Sequence, residues 1–112
     1  MCTLFIYRKK GSTWPLLIAS NRDESFNRSY SSPNYHWKSS PDIFAGKDLL
    51  KGGSWMGINK KNLFATILNR EKTNISINKT SSRGELVIKA LKFNSAVEAS
   101  KNIFNNLKKV YN

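Results

Sequence analysis

The chain holds one cysteine and one histidine, and the cysteine stands directly behind Met1. Two readings of Cys2 compete. It is a small apolar residue that opens a strand, or it becomes the chain terminus once Met1 is removed and carries chemistry. In the second case one residue supplies two coupled groups. Free α-amines titrate near about 8 and free thiols near about 8.5. The amine can therefore take the thiol proton, directly or through a water, without any histidine. Methionine aminopeptidases generally remove Met1 before a small residue, and cysteine qualifies.

A second cluster is Asn21-Arg22-Asp23-Glu24. On extended backbone Asn21 and Asp23 share one face, Arg22 and Glu24 the other. Asp23 beside Cys2 would hold or orient the cationic amine. Arg22, turned inward by a bend, would lower a thiol pKa or bind an anionic substrate group. Asn69 closes the run "FATILN". A side-chain amide there can donate to a tetrahedral oxyanion, a task worth about 3–4 kcal/mol where mutation has tested it. Each residue has a structural reading beside the chemical one. Cysteine at a strand start packs as a hydrophobe, charges at strand ends make turns and surface ion pairs, and asparagine after a strand makes a turn.

The elements that must position these residues follow from local patterns. Cys2–Arg8 is rich in β-branched and aromatic residues and reads as a strand. "KKGST" turns the chain, and "WPLLIAS" reads as a second strand with Pro15 at its start or on an edge. Antiparallel pairing puts residue 2 opposite roughly residues 20 to 22, beside the acidic cluster. Residues 26–41 read as a polar loop, pinned by Tyr30, Tyr35 and Trp37. "PDIFAGKD" is a short extended stretch ending in a turn. Ser54–Ile58 and Leu63–Leu68 read as a hairpin around "NKKN". Ser82 and Glu85 form a capping box before the helical "RGELVIKALK", where Gly84 implies close packing. Ser95 and Glu98 repeat the box before a helix with Val97, Ile103, Phe104, Leu107 and Tyr111 as its apolar stripe. Strands followed by two helices make an α+β or layered αββα chain.

At 112 residues the chain reads as one domain, 1–112. Its net charge is +12 and its pI about 10.1. The lysines and arginines are dispersed, with no nucleic-acid motif, so the charge reads as a solvated basic surface with no specific nucleic-acid partner. No apolar run approaches the roughly 20 residues that span a bilayer, and no secretory signal is visible, which gives an expectation of a cytoplasmic protein. One cysteine and one histidine make neither a disulfide nor a zinc site, so no metal and no cofactor is expected. Cys2, Tyr35, His36 and Met56 are residue types that ligate haem iron, without a recognised haem motif joining them.

Several segments in one order carry a family resemblance: "MC", "SNRDE", the Trp37 region, "PDIFAGKD", "GGSWMGIN", "FATILNR" and "SSRGELV". The chain resembles the NRDE proteins, also called the transport and Golgi organisation 2 family, to about Lys92. The resemblance implies an N-terminal-nucleophile hydrolase-like αββα sandwich, here an incomplete half of antiparallel strands followed by two helices, because family members are longer. It implies a cysteine amidohydrolase acting on C–N amide bonds of a small molecule or peptide. Cys2 matches the nucleophile, Asn21 and Asp23 the Asn-x-Asp pattern, and Asn69 the oxyanion amide. The arginine that commonly precedes that pattern is Ser20 here, and Arg22 lies within the pattern. The alternatives implied are a non-catalytic haem-trafficking or Golgi-organisation protein, or an inactive fragment. An incomplete sheet also implies self-association through unpaired edges.

Overall fold

The computed structural model describes residues 2–68 and 81–106. The chain is α+β, with two antiparallel sheets and two helices, compatible with an incomplete αββα sandwich. The first sheet is a hairpin of β1 (Thr3–Arg8) and β2 (Leu16–Asn21). Its turn contains Gly11 at φ +79°, a left-handed conformation that only glycine adopts without cost. Pro15 stands just before β2, and its carbonyl accepts the Lys9 N–H that closes the ladder. The register pairs Thr3 with Asn21 and Arg8 with Leu16.

The second sheet runs β3 (Tyr30–Asn34), β4 (Ile43–Asp48), β5 (Met56–Asn59), β6 (Phe64–Thr66), in that spatial order. Strand β3 lies inside the segment that the sequence presents as a loop. Its polar residues and Pro33 hide it. The chain tolerates them because β3 is an edge strand with a register shift between Ser31 and Asn34. The aromatic residues of this segment do pin it: Trp37 Nε1 donates to the Gly52 carbonyl at 3.1 Å, Tyr35 packs edge-on against Phe44, and Tyr30 against Trp55. The β5–β6 hairpin turns through Asn59–Asn62, as "NKKN" predicts, with Asn62 at φ +60°.

Helix α1 (Gly84–Ala90) packs on β5 and β6, and α2 (Ala96–Asn105) packs on α1. The core is Ile43 and Ala45 of β4 against Val87 of α1 and Leu91, its C-cap. Buried Asn59 ties helix to sheet. Its Nδ2 donates to the Leu91 and Phe93 carbonyls, and its Oδ1 accepts from the Lys61 and Leu63 N–H groups. All its polar capacity is used, as burial requires.

The two capping boxes have different outcomes. At α2, Ser95 Oγ accepts the Glu98 N–H, and the Glu98 carboxylate accepts the N–H of Asn94. At α1, Arg83 holds the N-cap position without a side-chain cap, and Ser82 Oγ accepts the nearer Gly84 N–H. The expected stripe on α2 is also narrower. Ala99 is buried and Ile103 half-buried, one turn apart, whereas Val97 and Phe104 are exposed. Leu107 and Tyr111 lie outside the described residues.

Candidate active site

Side chains alternate along a strand, so the hairpin has two faces. Cys2, Leu4, Ile18, Ser20 and Arg22 fall on one face and are half-buried. Thr3, Phe5, Leu17, Ala19 and Asn21 fall on the other and are exposed. Cys2 therefore looks inward. Its Sγ accepts the Asp23 N–H at 3.4 Å and lies 3.7 Å from the Asp23 carbonyl, to which the S–H donates. The antiparallel register thus brings the acidic cluster beside the thiol, as the strand lengths require.

The thiol opens onto a cavity of about 150 Å3. The hairpin side contributes Cys2, Ser20, Asn21, Arg22 and Glu24. The opposite wall comes from Ser54 and Trp55, Ile67 and Leu68, and Ser82–Gly84. Arg28, Asp48 and Lys51 complete it.

The wall is held by three local devices. At the first, backbones meet: the Ser54 N–H donates to the Gly84 carbonyl at 3.1 Å, and a Cβ on Gly53 would sit 2.5 Å from the Gly84 carbonyl carbon. Only glycine permits that approach. At the second, the Trp55 indole lies where a Gly46 side chain would be and supports the Arg22 guanidinium, 4.4 Å above the ring. Such a cation over an aromatic face is attracted by the ring quadrupole. At the third, Asp48 Oδ2 accepts from Arg28 Nε at 3.1 Å and Nη2 at 2.6 Å, while Oδ1 accepts from the Leu50 and Lys51 N–H groups. Burial pushes the Asp48 carboxyl up. The Arg28 hydrogen bonds, the two backbone N–H groups and the Arg28 charge outweigh it and hold the group below its ordinary range.

The sequence-expected site residues divide accordingly. Cys2, Asn21 and Arg22 line the cavity, and Asp23 reaches Cys2 through its main chain. Arg22 is on the face of Cys2 and lines the cavity together with Glu24, and Asn21 also reaches it. Arg22 lies over Trp55 and 3.8 Å from Glu24. Asn69 lies outside the described residues. Tyr35, His36 and Met56 do not line the cavity with Cys2.

The thiol beside the acidic cluster, with the "GGSWMG" and "SSRGE" segments as the facing wall, joins the motifs of the resemblance into one site. The family model for transport and Golgi organisation 2 matches residues 1–112. The chain belongs to the transport and Golgi organisation 2 family. The match runs through the second helix to Asn112, beyond the Lys92 to which the sequence motifs extend. No curated protein and no solved structure matches the chain. In this family member, then, the NRDE segment supplies one wall of a cavity and the thiol's hydrogen-bond partner.

Sequence reasoning missed most of the opposite wall. Trp55, Lys51, Asp48, Arg28 and Arg83 are remote from Cys2 in the chain, and no spacing rule links them to it. The signal was indirect: Gly52 and Gly53 in one segment and Gly84 in the other mark a close backbone crossing. Among the described residues no group of three or more histidine, cysteine or acidic side chains is placed to hold a metal, and no helix is long and apolar enough to cross a membrane.

Proposed function

We propose that the chain is an N-terminal-nucleophile cysteine amidohydrolase. Removal of Met1 frees the α-amine of Cys2, which takes the thiol proton as sulfur attacks the amide carbonyl carbon. The C–N bond then breaks, the departing amine receives that proton, and water hydrolyses the thioester to release the acid and restore the thiol. Asp23 and Asn21 position the terminus, and Arg22 shapes the wall beside it. Asn69 is the proposed donor to the oxyanion. The observation that carries the reading is a half-buried thiol next to Met1 that opens onto a cavity lined by charged, polar and apolar residues alike.

Intact mass and iodoacetamide labelling of the purified chain test it. The expected result is loss of Met1 and alkylation of Cys2 faster than an ordinary thiol. Turnover of any amide that survives Cys2→Ala would overturn the reading.

The family description supports a second reading, a part in transport or Golgi organisation without turnover, with haem as the cargo proposed from the resemblance. A haem titration distinguishes it. Saturable binding with a Soret shift is its expected signature, and a featureless titration removes the haem form of it.

A further inference from the structure

We propose that the cavity selects a small amide carrying an anionic group, carboxylate or phosphate, and that Lys51 and Arg83 hold that group. The inference deepens the amidohydrolase reading and rests on it for the amide; the anion rests on the charges of the cavity alone.

Among the described residues, four cationic and two anionic residues line the cavity: Arg22, Arg28, Lys51 and Arg83 against Glu24 and Asp48. Both carboxylates are already engaged. Asp48 is gripped by Arg28 at 2.6 Å, and Glu24 lies 3.8 Å from Arg22. Among these described residues, four cations less two anions leaves two positive charges, and the two without an ion-pair partner among the described residues are Lys51 and Arg83. Arg22 is the cation the sequence offered for this task. Its guanidinium is committed to the Trp55 face and to Glu24.

Lys51 comes from the loop after β4, where its own N–H donates to Asp48, and Arg83 stands at the N-cap of α1. Both are therefore anchored at the backbone while their charges stay uncommitted. Walls of low dielectric concentrate the field of uncompensated charges in a cleft. A cavity of about 150 Å3 is the size that accommodates a benzene molecule in an engineered protein, so the ligand that enters it is small. Ser20, Ser54 and Ser82 give the lining polar character without adding charge.

The experiment is an NMR titration of the full chain with three probes: N-acetylglycinate, the phosphate ester of N-acetylethanolamine, and neutral N-acetylglycinamide. At least one anionic probe is expected to bind about tenfold or more tighter than the neutral amide, a difference of about 1.4 kcal/mol. The preference should fall as salt rises from about 0.05 to 0.5 M, because the groups are partly solvated. The double variant Lys51→Gln, Arg83→Gln should lose it, while Lys51→Arg with Arg83→Lys should keep it. Which anion binds better separates carboxylate from phosphate. Equal binding of the neutral amide, no saturable binding of either anion, or an unchanged preference in the folded glutamine variant would overturn the inference. Cys2→Ala separates this from the hydrolytic reading: it is expected to retain anion binding, so lost turnover with retained binding, or binding without turnover in the parent chain, bears on the nucleophile alone.

Discussion

Asp48 joins the electrostatics of the cavity to the stability of the chain. Its carboxylate accepts two bonds from Arg28 and two from backbone N–H groups. Its folded pKa lies below the ordinary 3.8, so between those two values the folded state binds fewer protons than the unfolded one. The stabilisation is therefore fully present above the ordinary value and fades as pH falls through the folded one. Replacing Asp48 with Asn should cost about 1–3 kcal/mol at neutral pH, the range for hydrogen bonds to charged groups less some screening at the part-exposed Arg28. Urea unfolding at pH 7 and pH 3 checks this. The gap between parent and D48N should narrow at pH 3, and a constant gap would place its origin in shape and not in charge. The meeting of Cys2 with Asp23 was legible in the sequence, because a short turn between two strands fixes their register. The role of Asp48 was not. A carboxylate after "IFAGK" reads as an ordinary turn residue until Arg28, twenty positions earlier, is folded against it.

Elements meet here through unusual backbone contacts. Helix propensity favours alanine over glycine by about 1 kcal/mol in a helix interior, and neither Gly53 nor Gly84 can be judged by it. A Cβ on Gly53 would fall 2.5 to 2.8 Å from Gly84 backbone atoms. Gly53→Ala should therefore destabilise by about 1–3 kcal/mol, the cost of overpacking, and should widen the cavity by moving α1 away from Ser54. Thermal melts followed by circular dichroism give the first quantity. At α2 the prediction is more ordinary: Ser95→Ala removes the oxygen that caps Glu98 N–H and should cost about 1 kcal/mol. Ser82→Ala should cost less, because Ser82 binds only the Gly84 N–H and α1 starts with Arg83 at its cap. Equal losses at the two serines would contradict that ranking. The same contrast explains what was legible. Both boxes have the right residues, yet a capping box also needs its serine at the N-cap, and at α1 Arg83 holds that position. Strand β3 was illegible because edge position, not composition, licenses its proline.

On the scale of the whole molecule, the hairpin that carries Cys2 is the least supported part of the described structure. Among the described residues β1 and β2 pair only with each other, and Phe5, Ile6, Tyr7, Leu16 and Leu17 are all about half exposed or more. A lone two-stranded hairpin is marginal in water. The core, by contrast, joins β4 to α1 and Leu91 and includes no hairpin residue. Opening free energies should differ accordingly. Amides of β1 and β2 should exchange with deuterium sooner than those of β4 and β5 at the same pH and temperature. Arg22 gives this ordering a handle, since its contact with Trp55 connects the end of the hairpin to the second sheet. A cation over an aromatic ring is worth about 0.5–2 kcal/mol, depending on desolvation. Arg22→Gln should therefore raise hairpin exchange several-fold and leave β4–β5 exchange nearly unchanged. Uniform acceleration across both sheets would mean that they open as one cooperative unit. In that event the thiol's position would be set by global stability.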